Sequence, residues 1–347
     1  MEGSVIGRRR VRLALILMGG SASLFAFFIA YLSVGAVEMG FIESMDALFS
    51  SLAKGGEDLS VNETIIYHAR LPRALGVVGV GIGLSVAGVV LQAIIRNPLV
   101  DPYITGVSSG ASLGAALALA GGVTLFGSMT LSLPIAAFVG ASSAFLFTIL
   151  LAESSGGRPI AYVLAGVVVG IGLSSFTTIL MVFAGDRVHG LLFWLFGSFT
   201  PVDWGNVCYI FLPALALSLG VALYARELNL VLLGDEQARQ LGLQVKKFKR
   251  AMMVLTSLLT SFCVAFTGII AFLGLIVPHI SRILIGGDHR LLLPVSFILG
   301  ANILLVGDIV ARVTMKPMEL PIGAIISMIG APFFAYLMIR RGRTYVG

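Results

Sequence analysis

Apolar runs of about twenty residues, each closed by a short polar stretch, recur along this chain, and a helix of that length crosses the hydrocarbon core of a bilayer. Ten such spans are predicted: residues 13–34, 72–95, 103–121, 131–151, 161–183, 207–225, 250–269, 270–286, 291–311 and 321–339, the seventh and eighth separated near Gly268. The first follows Arg8, Arg9, Arg10 and Arg12, as a signal peptide would. Its run from Leu13 to Val34 exceeds the roughly 7–15 apolar residues of a signal core, so it is predicted to remain as a helix.

One polar interruption stands apart. Between the sixth and seventh spans, E-L-N-L-V-L-L-G-D-E-Q-A-R-Q-L-G-L-Q-V-K-K-F-K-R (Glu227 to Arg250) is charged and helix-forming, and it predicts two short helices turning at Gly234 and Gly242. Lys246, Lys247, Lys249 and Arg250 then precede the next apolar run. Such a segment lies outside the bilayer and is predicted to meet a soluble partner.

Composition fits the membrane setting. Hydrophobic residues make up 58%, charged residues 12%, and mean hydropathy is +1.01, whereas soluble domains carry about 25% charge. Ten spans put both termini on one side. Assigning that side to the cytoplasm gives the inner segments Arg8, Arg9, Arg10, Arg12, Arg96, Arg158, Arg226, Arg239, Lys246, Lys247, Lys249, Arg250, Arg282, Arg290, Arg340, Arg341 and Arg343. The outer segments keep only Lys54, Arg70, Arg73, Arg187, Arg312 and Lys316. Seventeen basic residues against six set the orientation, so the net charge of +6 reports topology rather than nucleic-acid binding. The fold class is therefore an all-α polytopic membrane protein of about ten transmembrane helices, one membrane domain over 1–347, with both termini cytoplasmic. The outer segment 184–206, with Trp194, Phe199 and Trp204, suits a short interfacial helix.

Glycines spaced four apart (Gly79 and Gly83; Gly106, Gly110 and Gly114; Gly166 and Gly170) suit close helix packing. G-V-G-I-G (Gly79, Gly81, Gly83) lacks the third glycine and the βαβ setting of a dinucleotide site. Proline-bearing segments fall at span ends: R-L-P-R, where Arg70 and Arg73 flank Pro72 on a predicted rigid turn; R-N-P-L-V-D-P; G-R-P; I-V-P-H; and M-E-L-P-I-G. Either they end helices, or their freed carbonyls line a water-accessible path.

Catalytic chemistry is not expected in this chain. His68, His189, His279 and His289 never take a metal-ligand spacing, and Cys208 and Cys263 are predicted to be apolar span residues, so no metal site is assigned. Ser108 and Ser109 lack the G-x-S-x-G pattern. No lysine follows a glycine, which excludes a P-loop, so any ATP and Mg belong to a partner and this chain binds no cofactor. Almost no ionisable residue is predicted at mid-depth, Asp308 and His279 being assigned to helix ends where solvation or capping accounts for them. A proton- or sodium-coupled carrier needs such groups, so the energy source is expected elsewhere.

Six motifs in order carry a resemblance over residues 70–335: A-R-L-P-R; L-Q-A-I-I-R-N-P-L-V-D-P-Y-I-T-G-V-S-S-G-A; L-N-L-V-L-L-G-D-E-Q-A-R-Q-L-G; G-L-I-V-P-H-I-S-R; G-D-H-R-L-L-L-P; and E-L-P-I-G with I-G-A-P-F-F. The chain resembles the FecCD-type permeases, the ten-helix membrane subunits of ATP-driven importers for iron-siderophores, haem and vitamin B12. The resemblance implies a homodimer in the cytoplasmic (inner) membrane, two ATP-binding cassette subunits below, and an extracytoplasmic substrate-binding protein above. It implies that Leu228, Leu230, Gly234, Glu236, Ala238, Leu241 and Gly242 belong to the coupling helices that sit on the ATPase. By similarity Arg70, Arg73 and Arg312 face outward and pair with glutamates of the binding protein. Asn97, Pro98 and Leu99, with Gly157, Arg158, Pro159 and Ile160, match loops near the inner gate. The chain departs from the family pattern at Met315, Lys316 and Pro317, in a variable outer turn. Cargo is expected to be an iron chelate (siderophore or haem) first and cobalamin second; a secondary carrier or channel is the alternative from another class.

Overall fold

A computed structural model describes residues 2–35, 37–122, 129–185 and 188–342. Two residues of the charge assignment, Arg187 and Arg343, lie outside them. In chain order the helices are α1 (Glu2–Ser33), α2 (Phe41–Ala53), α3 (Val61–Thr64), α4 (Leu71–Ile95), α5 (Val107–Gly121), α6 (Met129–Ser154), α7 (Pro159–Phe183), α8 (Val188–Leu195), α9 (Val207–Ala222), α10 (Ala225–Leu232), α11 (Asp235–Gln240), α12 (Val245–Thr267), α13 (Leu273–Ile285), α14 (His289–Val313) and α15 (Ile322–Gly342). Among the described residues, six helical stretches are long and apolar enough to cross a membrane. A further pair, α9 and α10, passes that test jointly with a 58° bend, and three shorter apolar helices lie at 107–121, 273–285 and 322–336. The protein is an all-helical, multi-pass membrane protein.

α4 is the central pillar. All of it but Leu75 and Val78 is buried, and α9, α12, α13 and α14 pack around it. Close approach depends on missing side chains. A Cβ on Gly88 would strike the Gly274 carbonyl of α13, and one on Gly110 would strike the Gly140 carbonyl of α6.

Two prolines read as loop markers lie inside helices. Val61–Ile95 runs as one 35-residue helix through Pro72, because a π-helical turn, Ile65–Arg70, precedes it and lets the Leu71 amide donate to the Ile66 carbonyl. Arg70 and Arg73 therefore sit on a helix and not on a rigid turn. Pro278, likewise, is internal to α13.

The split near Gly268 is present, and α13 begins only at Leu273. Non-helical backbone at membrane depth must find partners within the protein. Here the Ile270 amide donates to Tyr103 Oη at 3.2 Å and the Ser198 amide to the Thr267 carbonyl at 2.8 Å. Gly268 takes φ +70°, and a Cβ there would run into the Trp194 carbonyl, so only glycine fits. Trp194 and Phe199 are buried, whereas Leu192, Phe193 and Phe196 of the same segment are exposed.

Candidate functional site

The polar segment forms the two short helices predicted, α10 and α11. Gly234 (φ +117°) joins them, and Gly242 (φ +88°) ends the second turn. Both need the freedom of a residue without Cβ. Asp235 and Glu236 at the start of α11 meet the positive end of its dipole. Leu228 and Ala238 point inward and are fully buried, fixing the segment to the helices above, whereas Leu232, Leu233 and Leu241 are exposed. Leu230 is half-buried, and Glu236 and Gly242 face out. The segment thus keeps three leucines exposed beside side chains anchored in the bundle.

Polar pins tie this segment to the spans. Asp235 accepts from Arg96, the left-handed cap of α4, and from Lys249 of α12 at 2.8 and 2.9 Å. Asn229 of α10 donates to Asp288 at 2.8 Å and accepts from the His289 amide at 2.9 Å, which fastens α10 to the start of α14. Sequence reasoning missed Asn229, Asp235, Asp288 and His289. An N-cap aspartate before an apolar run was legible at Asp288, but its partner 59 residues away was not.

The two predicted gate loops lie beside this segment. Gly157, Arg158 and Pro159 share a cleft of about 500 Å³ with Asp235, Arg239 and Lys249. Arg250 closes its edge by pairing with Glu153 at 2.6 Å. Pro98 lines a second cleft of about 460 Å³ with Leu232, Arg282 and His289. Asn97 shapes that loop: its Oδ1 accepts from the Leu99 amide at 2.9 Å, and Leu99 is exposed. Ile160, in the first turn of α7, is also exposed. The loop ends on Asp101, whose Oδ1 accepts the Tyr103 amide at 2.9 Å. Burial pushes the Asp101 carboxyl up to about 6, partly offset by the backbone amides of Tyr103 and Phe272.

At the opposite end Arg70, Arg73 and Arg312 do come together, but buried and internally engaged. Arg73 Nε and Nη2 each donate to Asp308 at 3.0 Å, and its Nη1 donates to Glu319 at 2.8 and 3.1 Å. Tyr31 Oη donates to Asp308 at 2.5 Å. Arg70 donates to the Leu32 carbonyl at 2.6 Å and to the Val37 carbonyl. Arg312 lies 4.7 Å over the Tyr31 ring. Asp308 is therefore neither solvated nor capping: it is an enclosed partner of Arg73. His279 is also buried, within α13.

This architecture, a bundle of spans with a pinned polar segment beside two loops at one end, defines a permease membrane subunit, and the chain belongs to the FecCD transport family, which it matches over residues 23–340. That is a family of ABC transporter permease subunits, which are not themselves enzymes. Over 278 residues it is 41% identical to the cobalamin import system permease protein BtuC of Halobacterium salinarum, covering 80% of this chain and 73% of that one. It is 40% identical over 278 residues to the Fe(3+) dicitrate transport system permease protein FecD of Escherichia coli, covering 80% and 85%. A solved inward-facing putative metal-chelate type ABC transporter superposes with a TM-score of 0.80 at 29% identity, over 94% of this chain and 99% of that one.

Proposed function

We propose that this chain is the permease subunit of a binding-protein-dependent, ATP-driven importer that carries a metal chelate across the cytoplasmic membrane. It works as a homodimer of single membrane domains, each with ten spans and cytoplasmic termini, above two ATPase subunits and below an extracytoplasmic binding protein. An iron chelate is the first choice of cargo and cobalamin the second, in line with the two kinds of relative.

The observation that carries this reading is the sharing of clefts between the α10–α11 segment and both gate loops, which gives a push on that segment a short route to the gate. A groove of about 460 Å³ between α5 and α7, lined by Ser109, Ser174, Ser175 and Thr178 among glycines and apolar side chains, is in line with a path between two copies. A secondary carrier is disfavoured because Asp308, a carboxylate enclosed among the spans, is already paired with Arg73 and hydrogen-bonded by Tyr31. The test is uptake of ferric siderophore and of cobalamin into proteoliposomes holding permease, ATPase and binding protein. Uptake that needs ATP hydrolysis supports the proposal, and uptake driven by an ion gradient without the ATPase refutes it.

A further inference from the structure

The three outer arginines meet only two carboxylates among the described residues, and those two are not equivalent. Asp308 is 1% exposed and held by Tyr31. Glu319, in the turn between α14 and α15, has a side chain 34% exposed and takes the outer edge of the Arg73 guanidinium. Thr200 Oγ1 braces it at 3.1 Å. Arg70 is satisfied by backbone carbonyls alone, and Arg312 keeps its Nε and Nη1 buried without a hydrogen-bond partner. The cluster thus carries excess positive charge, while the Arg73 nitrogen that Asp308 leaves free is already occupied by a partly exposed carboxylate of the same chain.

We propose that Glu319 is an internal stand-in for a carboxylate of the docking protein, displaced from Arg73 when that protein binds. This rests on the reading above that an acidic face of a binding protein docks at the outer arginines. Glu319 holds Arg73 through Nη1 alone, the nitrogen that Asp308 leaves free, so an incoming glutamate competes with it for that one nitrogen. Exchange also has somewhere to go. The segment holding Thr200 is tied through the Ser198 amide to the Thr267 carbonyl, and the Ile322 amide beyond Glu319 donates to the Gly197 carbonyl, so both strands of the contact lead to the break between α12 and α13. Docking that frees Glu319 would loosen the backbone there.

The experiment measures binding of the protein that stimulates the transporter's ATP hydrolysis to the permease–ATPase complex in nanodiscs. Glu319→Gln is expected to tighten capture roughly 1.5- to fivefold, the range of a partly exposed ion pair removed from competition. Thr200→Val, which removes only the brace, is expected to act in the same direction and less. Arg73→Gln is expected to weaken capture. If Arg73→Gln weakens capture while Glu319→Gln and Thr200→Val leave it unchanged or weaker, the stand-in role is overturned and docking stands. If none of the three changes capture, docking at this cluster falls and the inference with it.

Discussion

Asn229 Oδ1 lies 2.9 Å from the His289 amide and 2.8 Å from His289 Nδ1, so one side chain of the short helix α10 holds the N-terminus of a 25-residue span. Its Nδ2 meanwhile grips Asp288, the residue that caps that span through the Arg290 amide. A displacement of α10 is thereby passed to α14 without passing through flexible backbone.

Asn229→Leu should uncouple the transporter. It removes two or three hydrogen bonds, each contributing about 1 kcal/mol, and leaves the apolar face of α10 in contact with the bundle. Uptake is expected to fall at least fivefold at unchanged expression while basal ATP hydrolysis by the assembled complex persists. Parallel assays of uptake and phosphate release check it.

Gly242→Val should act on the same route by strain. The residue sits at φ +88° with open space around it, so the penalty is conformational and amounts to about 1–2 kcal/mol. Uptake and cargo-stimulated hydrolysis are expected to drop together, and the membrane-inserted amount to stay constant. Hydrolysis that remains fully coupled to transport would remove this turn from the transmission surface.

The signals that were legible in the sequence were local ones. Apolar run length marked the six long apolar helices, Gly234 and Gly242 marked the short helices, and Gly268 marked the break between α12 and α13, because each reports on its own neighbourhood. The helix from Val61 to Arg70 was read as a loop, since Asn62, Glu63 and Thr64 interrupt its apolar pattern and Pro72 looked like a stop. The burial of the arginines was illegible for another reason. Arg73 meets Asp308 and Glu319 at separations of 235 and 246 residues, and no spacing rule reaches that far.

Those two carboxylates should differ when removed. Asp308→Ala leaves Nε and Nη2 of the buried Arg73 and the Tyr31 hydroxyl without a partner, a loss of about 3–5 kcal/mol, whereas Glu319→Ala opens a contact that water can replace. Thermal unfolding in detergent should therefore show a large fall for the first and a small one for the second. Equal falls would contradict the description of Asp308 as the enclosed member.

Asp101→Asn should stabilise the protein at neutral pH. Its carboxyl is raised from an ordinary 3.8 to about 6, so its protonated form is favoured in the fold; that contribution is complete below pH 3.8 and is lost as pH rises through 6. Asparagine keeps an acceptor for the Tyr103 amide and carries no charge. The melting temperature should exceed that of the native protein at pH 7.5, and the gain should vanish by about pH 4. A gain that persists unchanged in acid would mean that desolvation is not the cause.

The claim that the α10–α11 segment drives the gate loops is tested most directly by thiol accessibility at Ile160, exposed at the start of α7. With Cys208 and Cys263 replaced, Ile160→Cys is labelled by a membrane-impermeant reagent in inside-out vesicles carrying the ATPase, with and without ATP. The account predicts a several-fold change in labelling rate on adding ATP, abolished when Asp235→Ala is introduced, which removes the carboxylate that links α11 to Arg96 and Lys249 beside the loop at 157–159. An ATP-dependent change of the same size with and without that substitution, or none in either, would contradict it.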